Sequence, residues 1–202
     1  MDDTANPAPG KFFRHCAIPG WLGTNPANDL LTYAVTHPDL FEEAGVGYGK
    51  SVIDHAIRIS RRTRELGPYE EILRLRALDI KPALEKGLGI AGFEAKEVEM
   101  EFVAHGDGAH FKTHVDIATG KSQPGKKRLI TMVYYLFRQP KAFSGGELRL
   151  YSLQGKEYRD IVPEHDLLVA FPAFAPHSVE PVSCPSGDFA DSRFAVNIWI
   201  HG

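Results

Sequence analysis

His114 and Asp116 stand two positions apart in the stretch HFKTHVD, residues 110–116. In an extended chain successive side chains alternate between faces, so the imidazole and the carboxylate share one face and Val115 takes the other. Both are metal ligands, and together they make a two-pronged site that needs a third member. His177, in FPAFAPHSVEPV, follows His114 by 63 residues and opens a later extended stretch. Two imidazoles and a carboxylate on one side of a metal, with the other positions open, form the ligand set of non-haem Fe(II) centres that handle oxygen. The same three groups would also accept zinc or nickel, which leaves a non-catalytic metal-binding module as a second reading.

The elements that must position these residues begin near residue 98. VEMEFVAH, HFKTHVDI, RLITMVYYLF, GELRLY, EYRDIV, DLLVAF, HSVEPV and RFAVNIWIHG are short runs of alternating or continuous apolar residues. Turn signals such as GDG, SGG and LQGK separate them, so eight strands are predicted. That many short strands in so short a length suggest a double-sheet jelly roll, in which strands distant in sequence lie face to face. Such a fold can bring His177 to His114. The two glycines of SGGEL are expected in a turn or bulge.

Residues 1–97 read differently. NPANDLLTYAVTHPDLF has the apolar spacing of an amphipathic helix, with Asn25 as a candidate cap and a stop before Pro38. GPYEEILRLRALDIKPALEKGLG predicts a second helix, with Pro68 near its start, Glu70 and Glu71 in its first turn and Gly87 at its end; Pro82 should kink or divide it. The stretch SVIDHAIRISRRTRELG between them is ambiguous and partly extended. The expectation is a mainly β protein with a helical flank (α+β). Residues 1–97 form an N-terminal helical support region and 98–202 the core, in a single compact domain.

Composition narrows the function classes. With 43% apolar and 24% charged residues in 202, the chain suits a globular domain able to bury a sizeable core. A net charge of -3 gives no basic footprint for nucleic acid. No apolar run approaches a membrane span, and MDDTANPAPGK has neither the basic start nor the apolar stretch of a secretory signal, so a cytoplasmic location is expected. Cys16 and Cys184 have no ligand-like spacing and read as reduced thiols.

In order along the chain, HVD, YYL, SGGELRLY, PHSVEPV and RFAVNIW resemble the Fe(II)- and 2-oxoglutarate-dependent dioxygenases, in their prolyl 4-hydroxylase-like branch. The resemblance is close over about residues 97–201 and loose over the helical flank. A lone His-x-Asp arises readily by chance; the ordered set with a distal histidine and a following arginine is far more specific. It implies a double-stranded β-helix core with N-terminal supporting helices, and iron held by His114, Asp116 and His177. It further implies that Arg193, six residues before Trp199, pairs with the distal carboxylate of 2-oxoglutarate, and that Tyr135 reaches the same carboxylate. A guanidinium suits that task because its planar fork grips a carboxylate and keeps its charge when buried. Alternation allows one of Tyr134 and Tyr135 to face the pocket.

Two departures from the family pattern stand out. His105 falls, after a one-residue gap, where relatives usually carry a tyrosine near the cosubstrate, and the segment between His177 and Arg193 is longer than usual. Arg128 matches a position near the substrate in some protein prolyl hydroxylases; Lys126 and Lys127 beside it read as a solvated loop. Trp199 reads as core packing or a neighbour of the substrate, and His105 and His110 as pocket lining or neutral surface. The SQPGKKRL segment, near residues 120–128, has the composition of a lid.

What the resemblance implies about activity is a hydroxylase of a prolyl residue in a peptide or protein. It would use Fe(II), O2 and 2-oxoglutarate, the last decarboxylated oxidatively to succinate and CO2. A free amino acid or other small metabolite is the rival substrate, and a metal-binding jelly-roll sensor or binding module is the rival of another class. No nucleic-acid or membrane partner is expected.

Overall fold

The structure, a computed structural model, describes residues 11–47, 52–117 and 127–202. Its elements are β1 (Cys16–Pro19), α1 (Thr24–Thr36), β2 (Glu42–Glu43), β3 (Arg58–Ile59), β4 (Arg61–Thr63), α2 (Glu70–Leu88), β5 (Glu97–His105) and β6 (His110–His114). There follow β7 (Arg128–Leu136), β8 (Ser144–Gly145), β9 (Leu148–Tyr151), β10 (Tyr158–Ile161), β11 (Leu167–Pro172), β12 (His177–Val179), β13 (Val182–Ser183) and β14 (Arg193–His201).

The strands make a seven-stranded sheet of order β1-β11-β7-β14-β5-β4-β2, a five-stranded sheet of order β10-β9-β12-β6-β3 and a two-stranded ribbon of β13 and β8. All described pairings are antiparallel. This is the mainly β, jelly-roll architecture with helical support that the sequence leads one to expect.

The large sheet is buried on both faces, and alternation divides its residues between them. Met132, Tyr134 and Leu136 of β7 and Phe194, Val196, Ile198 and Ile200 of β14 face the helices. There they meet Ala27, Leu30, Leu31 and Ala34 of α1 and Leu73, Ala77, Leu84 and Leu88 of α2. Each Leu, Ile, Val, Met or Phe side chain removed from water here contributes on the order of 1.5–3 kcal/mol. Val133, Tyr135 and Ala195 point the other way and pack with Leu148, Leu150 and Phe171 between the sheets. The inward face of the large sheet therefore carries Thr131, Val133 and Tyr135 from β7 and Arg193, Ala195 and Trp199 from β14.

The eight predicted strands all form, and the differences lie at their ends and in the flank. HSVEPV breaks into β12 and β13 around Glu180 and Pro181, because proline cannot donate to a ladder. Gly23, not Asn25, caps α1, and Asn25 sits inside the first turn. α2 runs unbroken through Pro82 and ends at Gly89, in the left-handed conformation, rather than at Gly87; the buried Leu84 and Leu88 carry it past the proline. The flank is also not purely helical. β1, β2 and β4 extend both edges of the large sheet, and β3 joins the small one. Residues 122–126 of the SQPGKKRL segment, with Lys126 and the expected lid, lie outside the described residues; Lys127, Arg128 and Leu129 are described.

Candidate metal and cosubstrate site

His114 and His177 are direct cross-strand partners in the β6–β12 pair, with ring centroids 4.2 Å apart. Asp116 lies just beyond β6 rather than on it. The strand stops at His114, and the Asp116 N–H is instead held by the Ala173 carbonyl at 2.9 Å. The carboxylate nevertheless turns to the imidazoles: His114 Nε2 is 3.7 Å from Oδ1 and His177 Nε2 3.6 Å from Oδ2. Ligand atoms of all three residues fall within 4.8 Å of one another.

The surroundings fix which atoms face inward. His114 Nδ1 lies 2.8 Å from the Lys112 carbonyl and His177 Nδ1 2.9 Å from the Ala175 carbonyl. A carbonyl accepts, so each Nδ1 carries the hydrogen, and in the neutral ring each Nε2 presents a lone pair to the centre. Phe111 stacks on His114 at 3.6 Å between centroids, and Phe171 packs edge-on against His177. Burial, with His177 opposite, holds His114 well below the ordinary imidazole range, although Asp116 opposes this. For Asp116 burial favours the neutral acid, but the facing His177 and His114 outweigh it and the carboxyl is held below its usual range. Thr131 donates its hydroxyl to Asp116 Oδ2 at 2.7 Å. The Trp199 indole also favours the charge, while its N–H falls short of full hydrogen-bond geometry. Two neutral imidazole lone pairs and one carboxylate, converging with oriented outer partners, suit a divalent transition metal such as Fe(II).

Deeper between the sheets lies a second set of groups. Arg193 is 1% exposed and its guanidinium carbon sits 4.8 Å from the centroid of the Tyr135 ring. Among the described residues, Arg193 Nε and Nη2 and the Tyr135 hydroxyl are buried with no partner in full hydrogen-bond geometry; the hydroxyl and the guanidinium lie close enough to favour each other's charged forms. Burying such donors unpaired is costly, and three of them in one pocket suit a carboxylate, which accepts several bonds. Gly146, at φ 73°, makes room for this group: a Cβ there would stand 2.7 Å from Arg193 Cδ. The residues present therefore fit both groups, the metal at the triad and the far carboxylate of a keto acid at Arg193 and Tyr135. Tyr134 takes the other face and gives its hydroxyl to Asp166 at 2.7 Å.

His105 meets the pocket through Arg193, with Nδ1 3.1 Å from Nη1. Arg128 stacks over Trp199 at 3.8 Å, binds both oxygens of Glu99 and reaches the Asp116 carbonyl at 3.4 Å. His110 stays outside this group, with its Nδ1 on the Gly108 carbonyl.

Sequence reasoning missed several neighbours. Thr131 shares the parity of Tyr135, so alternation could have found it. Glu101, a charge within the apolar VEMEFVAH, carried a signal too: it is buried and joins Arg58 and Arg62, each at 2.8 Å. Arg58 and Arg62 lie in the stretch whose pattern was ambiguous, and nothing marked them.

Comparison with known proteins agrees with this geometry. The profile of the 2OG-Fe(II) oxygenase superfamily matches residues 100–201. An uncharacterised PKHD-type hydroxylase of Synechocystis sp. is 39% identical over 146 residues, which is 68% of this chain and 47% of that protein. The chain thus matches about half the length of that curated relative. Among solved structures, a prolyl-4-hydroxylase of Pseudomonas putida is similar with a TM-score of 0.69 at 20% identity, over 100% of this chain and 96% of that one. A prolyl hydroxylase of Trichoplax adhaerens, in complex with a peptide fragment of the hypoxia inducible factor oxygen degradation domain, gives 0.68 at 19% identity over 93% and 83%. At these identities the two structures speak to the fold.

Proposed function

The chain belongs to the 2OG-Fe(II) oxygenase superfamily, and from that premise we propose that it hydroxylates a prolyl residue within a peptide or protein, converting 2-oxoglutarate to succinate and CO2. As a 2-oxoglutarate-dependent dioxygenase it uses Fe(II), 2-oxoglutarate and O2. When bound, the iron and its cosubstrate supply the oxidising power for attack on an unactivated C–H bond.

The chain's own residues do the rest. His114, Asp116 and His177 would hold the iron from one side and leave the other positions open. Lys112 and Ala175, through their carbonyls, and Thr131, through its hydroxyl, keep the three ligands in orientation. Arg193 and Tyr135 would take the distal carboxylate of 2-oxoglutarate, and the apolar layer of Val133, Leu150, Phe171 and Ala195 keeps water away from it. The orphaned donors of Arg193 and Tyr135 also weigh against a metal-binding module without catalysis, which has no use for them.

The choice of a peptidyl substrate over a free amino acid rests on one observation. Arg58, which faces His114, is committed to Glu101, and Arg128, which touches Asp116, is committed to Glu99. The guanidinium groups that a free amino acid's carboxylate would seek beside the iron ligands already hold protein carboxylates, with which it would have to compete, whereas a residue inside a chain brings no such carboxylate. Trp199 and the stacked Arg128 offer a flat wall suited to a pyrrolidine ring. The relatives named as prolyl hydroxylases, one with a bound peptide, support the same reading.

The test is a panel of proline-containing peptides and free amino acids, including proline, assayed for succinate release and for the mass gain of one oxygen. Coupled turnover with peptides is expected. Coupled turnover confined to free amino acids would overturn the peptide assignment.

A further inference from the structure

His105 and Arg193 are cross-strand partners on β5 and β14, and both are buried, at 4% and 1% exposure. Arg193 Nη1 stands 3.1 Å from His105 Nδ1. A guanidinium has hydrogens to give and no lone pair to accept with, so Nδ1 is the acceptor, the ring is neutral and its hydrogen sits on Nε2. Burial, Arg193 itself and Arg58 all disfavour a charged ring here. The bond engages one end of a planar group. Among the described residues the opposite edge, Nε and Nη2, has no partner in full hydrogen-bond geometry, and the nearby Tyr135 hydroxyl has none either. Gly146 lies against the stem: a Cβ there would lie 2.7 Å from Arg193 Cδ. Two contacts therefore define the plane, the wall along its stem and the acceptor at Nη1.

We propose that His105 is a positioning residue for cosubstrate recognition, acting as a hydrogen-bond acceptor that turns Arg193 so that its Nε–Nη2 edge meets the distal carboxylate of 2-oxoglutarate. The proposal rests on the functional reading above and explains the departure from tyrosine at this position. A hydroxyl can donate or accept, but the Nε2–H tautomer of histidine offers Nδ1 only as an acceptor. It commits Nη1 to the protein and reserves the other edge for the ligand. Preorganised donors bind more tightly because little ordering remains to be done on binding.

Asparagine places Oδ1 as many bonds from the backbone as histidine places Nδ1, whereas leucine gives similar bulk with no acceptor. The experiment uses the full chain loaded anaerobically with Mn(II), which holds the site without turnover. 2-Oxoglutarate is titrated calorimetrically into wild type, His105→Asn and His105→Leu, with thermal denaturation of each alongside. Nitrogen-15 NMR of the metal-free wild type reads the His105 tautomer.

Loss of one hydrogen bond to a charged group predicts weakening by about tenfold to a hundredfold in His105→Leu. His105→Asn should stay within about threefold of wild type, Mn(II) affinity should be equal in all three, and the ring should be neutral with hydrogen on Nε2. Wild-type affinity in folded His105→Leu would overturn the proposal alone. So would a hydrogen on Nδ1, or a folded His105→Asn as weak as the leucine variant. Should His105→Leu fail to fold, the asparagine variant and the tautomer decide. Failure of wild type to bind 2-oxoglutarate at all would overturn the functional reading and this proposal with it.

Discussion

At the scale of residues, the triad is three ligands and the groups that aim them. The two histidines are fixed by backbone carbonyls, which side-chain substitution leaves in place, but Asp116 depends on the Thr131 hydroxyl at 2.7 Å. Outer partners of metal ligands typically govern affinity by about tenfold to a hundredfold. Thr131→Val keeps the shape and removes the donor. It should weaken Fe(II) binding by about that factor while changing the melting temperature little, as anaerobic metal titration and thermal denaturation would show; equal iron affinity would mean that Asp116 is oriented by other contacts. His114, Asp116 and His177 were legible in the sequence because their chemistry is rare and their order specific. Thr131 was not, because a threonine in an apolar strand has many ordinary explanations.

At the scale of elements, alternation along β7 gives adjacent tyrosines opposite tasks. Tyr134 faces the helices and donates to Asp166 Oδ1, which also accepts the Leu22 N–H at 3.0 Å. Asp166 holds a left-handed conformation at φ 63°, a strain that these bonds offset. Tyr135 faces the space between the sheets, beside Arg193, and among the described residues its hydroxyl has no partner in full hydrogen-bond geometry. Tyr134→Phe should therefore destabilise the fold by about 1–2 kcal/mol and leave 2-oxoglutarate affinity unchanged. Tyr135→Phe should weaken 2-oxoglutarate binding with no loss of stability. Denaturant unfolding and ligand titration of the two variants check this, and the reverse pattern would mean the faces are exchanged. The long strands were readable because period-two patterning runs through β5, β7 and β14. β2, β3 and β4 were not, being two or three residues long, too short for any period to show. The position of Asp116 past the end of β6 was also hidden, since the sequence does not say where pairing with β12 stops.

At the scale of the whole molecule, a buried ion cluster ties the two sheets together. Arg58 lies on β3 of the small sheet, while Arg62 on β4 and Glu101 on β5 belong to the large one. Burial works against the Glu101 charge, but Arg58 and Arg62 outweigh it and the carboxyl is held below its ordinary value. A depressed folded value means this group's stabilisation is fully present above the ordinary carboxylate range and is lost as pH falls through the folded value. Glu101→Gln leaves the buried Arg58 and the half-buried Arg62 without their counter-charge. It should cost roughly 3 kcal/mol near neutrality and flatten the decline of stability in acid, as urea unfolding from pH 7 to 3 would show. A variant as stable as wild type at pH 7 would mean the cluster is not a staple.

The central claim, that triad and arginine pocket together make a 2-oxoglutarate oxygenase site, is tested most directly by anaerobic titration of the purified protein with Fe(II) and then 2-oxoglutarate. The visible charge-transfer absorption of a keto acid chelated to ferrous iron is followed, and oxygen is then admitted and succinate assayed. The predicted result is a band that appears with the keto acid, is lost on oxygenation and is followed by succinate, and that in Arg193→Ala needs far more 2-oxoglutarate although iron still binds. A folded, iron-loaded protein that shows neither the band nor succinate would contradict the account.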